Sequence, residues 1–184
     1  MSMRLKNSTN HYGWVSILLH WVIAVAFFSL FILGDYMLRL DYYHPWYQSA
    51  PDWHKSMGLL FIVTLVMRFT WRLYSPKPEP LSSHQTWEVF IATVVHWIFY
   101  LLLFIICISG YLITSADANP ISVFSLFEIP VLNLEWQHQA DDAGLAHWLM
   151  AYICMGLVGL HVIAALKHHF IDHDMTLKRI IKSD

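Results

Sequence analysis

The chain has 184 residues, of which 57% are hydrophobic and 13% charged, and its mean hydropathy is +0.47. A soluble domain carries about 25% charged residues, so the deficit points to a membrane protein. The two cysteines, Cys107 and Cys154, lie alone in separate apolar runs. That excludes a disulfide framework, and the absence of CxxC and CxxCH excludes a zinc ribbon and covalent c-type haem. No nucleic-acid partner is expected.

A spanning helix needs about 20 mostly apolar residues, and four stretches qualify. The first runs from Trp14 to Leu33. It is too long for a signal-peptide core and has no small-residue cleavage site behind it, so it is expected to be retained. A connector over 34–53 leads to the second span, His54 to Arg72, the least apolar of the four. Lys55, Arg68 and Arg72 crowd its ends, where long cationic side chains can snorkel to the interface.

The connector 73–88 contains SPKPEP, whose prolines predict an extended path. The third span, Val89 to Ile113, is the longest and most uniformly apolar. After it, the connector 114–144 carries Pro120, Pro130 and the apolar pieces ISVFSLF and VLNLEW, which could lie in the interface plane. The fourth span, Leu145 to Leu166, is followed by a polar tail over 167–184. These elements predict an all-α integral membrane protein: one four-helix transmembrane bundle over 1–184, without room for a second domain.

Lysine and arginine set the orientation. Arg4, Lys6, Arg68, Arg72, Lys77, Lys167, Lys178, Arg179 and Lys182 fall on the side of the tails, and only Arg39 and Lys55 on the other. Both termini are therefore expected in the cytoplasm. With the acidic residues included, the outer face carries 2 − 8 = −6 and the inner face 9 − 5 = +4.

The histidines are the chemistry of this sequence. The fourth span contains HWLMAYICMGLVGLH, with His147 and His161 at its ends and no other ionisable group apart from Tyr152 and Cys154. Fourteen residues at about 100° each come within about 40° of four full turns, so both imidazoles project from nearly one face, about 21 Å apart. Ionisable side chains at such depth are costly and signal function.

His20 lies about 9 Å below the inner end of the first span, the depth of His161 from the same side. His54 opens the second span at the outer surface, level with His147. Two depth-matched pairs suit two stacked cofactors held between helices, and paired neutral imidazoles in a dry bundle suit b-type haem. Gly156 and Gly159 lie between the two fourth-span histidines, where a flat macrocycle could approach the backbone. Gly58 and Ser16 sit one turn from His54 and His20, although small residues also serve ordinary helix packing in lipid.

Other readings compete. A buried histidine can simply hydrogen-bond a neighbouring helix, a role that explains one histidine more easily than two matched pairs. A proton relay or metal transporter would also use such residues, but no intramembrane Asp or Glu accompanies them. His96, about 10 Å into the third span, rivals His20 as the partner of His161, and spacing alone does not choose. His44 and His138 lie in connectors, less suited to fixed axial geometry. The tail motif HHFIDHD (His168, His169, His173) could bind zinc or nickel weakly, but a solvated polar tail is expected.

LLHW in the first span, WHKSMG opening the second, and AHW…GLH followed by KHHF in the fourth resemble the bacterial cytochrome b561 family. The resemblance runs from about residue 12 to 180. It implies a four-span bundle of the inner membrane with two non-covalent b haems, whose axial ligands fall on His20, His54, His147 and His161. The pairs implied are His20 with His161 and His54 with His147. The third-span VHWIFYLLLF also looks like the family's, which suggests a supporting or quinone-site role for His96.

The reading that follows is a transmembrane electron carrier exchanging electrons with a quinone. Superoxide oxidation is a candidate donor reaction, which would make the protein a superoxide:ubiquinone oxidoreductase. The negative outer face argues against rapid capture of an anion, with Lys55 beside His54 as a local exception. The alternative is a haem-bearing membrane anchor for a separate dehydrogenase or hydrogenase, with connector 114–144 as the candidate docking surface for a soluble or membrane redox partner. A third is non-redox metal transport or sensing.

Overall fold

The computed structural model describes residues 5–116, 120–131, 134 and 136–182. Arg4, Asp117, Glu135 and Asp184 of the charge map, and part of VLNLEW, lie outside the described residues.

Four long helices dominate: α1 (Trp14–Met37), α2 (Ser49–Tyr74), α3 (Thr86–Ser115) and α4 (Gln139–Phe170). Each is long and apolar enough to cross a membrane. They have 24, 26, 30 and 32 residues, each longer than the apolar stretch that predicts it. At about 1.5 Å per residue they reach about 36 to 48 Å, beyond a hydrocarbon core of about 30 Å. Hydropathy registers only the part in hydrocarbon, whereas backbone hydrogen bonding continues through the headgroup layer.

Helix ends follow local chemistry. Asp141 and Asp142 occupy the first turn of α4 and Lys167, His168 and His169 its last, matching the helix dipole at both ends. At the start of α3 the Glu88 carboxylate accepts the Gln85 amide at 2.9 Å. The chain enters α1 at Gly13, where a Cβ would overlap the Leu5 and Lys6 backbone.

α1 packs along α2 and α3 along α4, and the two pairs meet mainly across α2 and α3. The shared core is Ile23 and Phe27 of α1, Phe61 and Leu65 of α2, Tyr100, Leu102 and Leu103 of α3, and Cys154 of α4. Large apolar residues such as Leu18, Val25, Ile32, Leu101, Leu160 and Ile163 stay exposed around the outside. That inversion suits a bundle whose solvent is lipid.

Both tails gather at one end, called here the tail face. Asn7 donates to the Pro76 carbonyl at 2.8 Å, Trp21 Nε1 to the Ile180 carbonyl at 2.9 Å, and Arg179 to the Glu79 carbonyl at 3.0 Å. A short helix, α5 (Thr176–Ile181), closes this end. There Asp174 is buried, which favours the neutral acid, yet the Thr176 amide and hydroxyl and His84 hold its carboxyl below the usual range.

At the far face, β1 (Ile121–Val123) pairs antiparallel with β2 (Phe127–Ile129), Ile121 opposite Ile129 and Val123 opposite Phe127. The apolar piece ISVFSLF thus supplies most of a short hairpin. Ile121 and Val123 are buried at 3% and 2% exposure, β1 packs on α2, and the Phe124 amide donates to Ser56 Oγ at 3.1 Å. Phe124 and Ser125 take positive φ (49° and 59°) at the tip, where Gly or Asn usually marks such a turn.

Candidate functional site

The far-face tier consists of His54 on α2 and His147 on α4. Their ring centres lie 6.1 Å apart, with planes at 74°. His147 Nδ1 is 2.8 Å from the Ile106 carbonyl of α3. A carbonyl only accepts, so Nδ1 carries the proton and Nε2 keeps its lone pair. Metal-binding imidazoles are oriented in this way. Ser109 Oγ stands 3.3 Å from the same nitrogen, its own proton directed to the Ile105 and Ile106 carbonyls.

Each ring is seated against a glycine of a neighbouring helix. A Cβ at Gly34 of α1 would come 3.2 Å from His54 Cε1, and one at Gly110 of α3 would come 3.1 Å from His147 Cε1. Residue spacing did not reveal these two positions. The available signal was a glycine inside an apolar span at the depth of a histidine. At Gly58, Gly156 and Gly159, a Cβ would meet nothing within 4 Å.

The residues fit a metal held between two imidazoles. Metal–imidazole bonds of about 2 Å put the two nitrogens about 4 Å apart and the ring centres somewhat further, compatible with the observed separation. His54 Nδ1 is buried without a hydrogen-bond partner. A structural histidine pair would ordinarily satisfy that atom.

The tail-face tier contains three histidines. His20 of α1 has Nδ1 3.4 Å from an Arg68 guanidinium nitrogen and lies within electrostatic reach of His161 and His96. His161 of α4 meets His96 and Phe99 of α3, with ring centres 5.5 Å away in both cases. His96 Nδ1 bonds to the Ala92 carbonyl of its own helix. Spacing alone leaves His20 and His96 as rivals, and it is His96 whose ring meets His161 at 5.5 Å, with His20 standing nearby.

Arg68 turns toward α1. Its guanidinium donates to the Ser16 carbonyl at 3.2 Å, while Ser16 Oγ accepts Trp71 Nε1 at 2.9 Å. Arg72 stacks over Trp97 and Tyr100, 5.7 and 5.8 Å from their ring centres. A cation therefore stands directly beside His20.

The connector histidines stay out of both tiers. His44 accepts the Trp46 amide at 3.1 Å within its own turn, and His138 precedes the first turn of α4. The tail motif is not a uniformly solvated segment. His168 turns inward, its side chain 16% exposed, to meet His84 and Asp174. Sequence distance hid this contact, since His84 and Asp174 are 90 residues apart.

The family model for prokaryotic cytochrome b561 matches residues 11–183. The chain is 45% identical over 179 residues to cytochrome b561 homolog 2 of Escherichia coli (strain K12), covering 97% of this chain and 95% of that protein. It is 28% identical over 174 residues to the probable superoxide oxidase CybB of Yersinia pestis, covering 92% and 95% respectively. Membership implies b-type haem, and the histidine tiers supply residues able to hold it. The chain belongs to the prokaryotic cytochrome b561 family, as a multi-pass membrane electron-transfer protein.

Proposed function

We propose that the protein is a di-haem cytochrome of the bacterial inner membrane that carries electrons between its two faces and exchanges them with a quinone. His54 and His147 would hold one b haem, and His20 and His161 the other. When bound, haem iron supplies one-electron chemistry between its ferric and ferrous states. The chain would contribute imidazole ligands, fixes the tautomer of His147 through the Ile106 carbonyl, keeps water from the core and sets the local charge. The observation that carries the reading is the far-face pair, with its 6.1 Å ring separation, glycine seats and His147–Ile106 orienting bond.

For the tail-face haem, His20 is preferred to His96 on family resemblance. Arg68 beside His20 would add positive charge near that site. The excess of lysine and arginine on the tail face supports placing that face in the cytoplasm.

The test is the haem-to-protein ratio of wild type and of His20→Ala, His96→Ala and His161→Ala. Two haems in wild type are expected, with one lost from the first and third variants only. A haem lost from His96→Ala while His20→Ala keeps both would overturn the tail-face assignment. A protein without reducible haem bands would overturn the whole reading.

Superoxide is a candidate donor, suggested by what the Yersinia relative is named for. One local feature weighs against fast capture of an anion. Lys55 is not a free positive funnel beside His54, because its ammonium sits 2.7 Å from the Asp52 carboxylate. The anchor-subunit alternative needs an outer docking surface, and part of connector 114–144 is instead folded onto α2 as the hairpin. Quinone reduction by superoxide above the rate of spontaneous dismutation, measured against ionic strength, tests the donor.

A further inference from the structure

A second cluster of metal-ligating side chains stands on the tail face, apart from the two tiers in the bundle. His84 comes from the connector before α3, His168 from the last turn of α4, and Asp174 from the turn before α5. His84 Nε2 lies 2.9 Å from Asp174 Oδ2, and His168 Nδ1 lies 3.6 Å from that same oxygen. The two imidazole rings are 4.8 Å apart between centres, tilted at 42°. All three ligand atoms fall within 4.8 Å of one another.

We infer that His84, His168 and Asp174 form a divalent transition-metal site, of the zinc class, that clasps the C-terminal segment to the connector before α3.

The donor chemistry carries this first. Two imidazoles and a carboxylate, with one position left for water, form a common open zinc set. Zinc bonds of about 2.0–2.1 Å at tetrahedral angles place neighbouring ligand atoms about 3.3 Å apart. The gaps of 2.9 and 3.6 Å bracket that figure. The side chains of His84, His168 and Asp174 are 18%, 16% and 5% exposed, so the donors converge in a shielded place.

The second support is the negative charge gathered around His168. Its Nδ1 faces two carboxylates, 2.8 Å from an Asp172 oxygen and 3.6 Å from Asp174 Oδ2. Two carboxylates converging on one imidazole nitrogen attract a cation. The same Asp172 oxygen also lies 2.6 Å from Lys167 Nζ, so His168 shares that carboxylate with the lysine. Thr176 Oγ lies 3.1 Å from the same His84 Nε2.

The chain also bends to make the cluster. His173 takes φ 54°, a conformation uncommon for residues other than glycine, and the next residue is Asp174. The contrasting reading is a metal-free latch, with the His84–Asp174 bond doing the joining alone.

Equilibrium dialysis of the full-length protein in detergent, purified without a polyhistidine tag, against zinc separates the two. One zinc per chain is expected in wild type, with affinity falling about tenfold or more in His84→Gln and Asp174→Asn. His169→Gln, in the same tail, should bind as wild type, and circular dichroism should report equal helix content throughout. In a variant-free check on wild type, zinc should shield His84 and His168, but not His44, from diethylpyrocarbonate. No stoichiometric zinc in wild type, or equal affinity in both ligand variants, or equal labelling with and without zinc, would overturn the site. Dialysis is run on the protein as purified with its haem content measured, and the His84→Gln and Asp174→Asn losses together with the labelling pattern assign the zinc to this cluster, so the result stands apart from the proposed electron-transfer role.

Discussion

His147 on α4 donates its Nδ1 proton to the carbonyl of Ile106 on α3 at 2.8 Å, leaving Nε2 as the nitrogen with a free lone pair. The acceptor is backbone, so the orientation is built into the packing of two helices rather than into a replaceable side chain. Ser109→Ala is therefore expected to keep both haems. Its hydroxyl proton already goes to the Ile105 and Ile106 carbonyls, and the 3.3 Å contact with His147 is secondary. Loss of a haem in this variant would show that the serine, not the carbonyl, holds the ring.

The glycine seats should be sensitive to a single methyl. Gly110→Ala would put a Cβ 3.1 Å from His147 Cε1, and Gly34→Ala one 3.2 Å from His54 Cε1. Each contact demands a shift of a few tenths of an ångström in a ring whose position sets a bond. Both variants are expected to weaken or lose the far-face haem and keep the tail-face one. Haem stoichiometry and low-spin electron paramagnetic resonance are the measurements.

Arg68 should act on potential rather than on binding alone. A guanidinium 3.4 Å from His20 Nδ1 disfavours the more positive ferric state nearby. Arg68→Gln is expected to lower the midpoint of the tail-face haem by an amount on the order of tens of mV and leave the other unchanged. A redox titration that moves both midpoints equally, or neither, contradicts this.

The Lys55–Asp52 pair gives a charge test of the donor. Asp52→Asn frees the ammonium beside His54 and removes one negative charge from the far face. Capture of an anionic reductant should rise a few-fold at low ionic strength and return to the wild-type rate at high salt. Stopped-flow haem reduction across a salt series checks it.

Ser56, 2% exposed, is the anchor of the far-face hairpin. Ser56→Ala removes the acceptor of a part-buried amide and should cost about 1–3 kcal/mol of local stability. Hydrogen exchange should speed at Phe124 and its strand neighbours while the four long helices stay protected.

The number of spans and the depth of each histidine follow from the sequence, because both depend on distances along a helix axis. Rise per residue and bilayer thickness are enough to level His54 with His147 and His20 with His161. Rotation about the axis is a different quantity, fixed only when helices pack side by side. That is why His20 and His96 remained equivalent by spacing, and why Gly34 and Gly110 went unnoticed as seats for the rings.

The same limit explains Arg68. Its distance from the span end is readable, but its turn toward α1 requires Ser16 and His20 to stand opposite. The hairpin was hidden for a local reason, since Phe124 and Ser125 carry its turn without glycine or asparagine. The meeting of His84 with Asp174 joins two polar segments across 90 residues, with no periodicity connecting them. Sequence alone determined a membrane bundle with histidines at two depths. The tertiary structure decided which side chains face them, because lateral packing brings together residues that axial distance cannot pair.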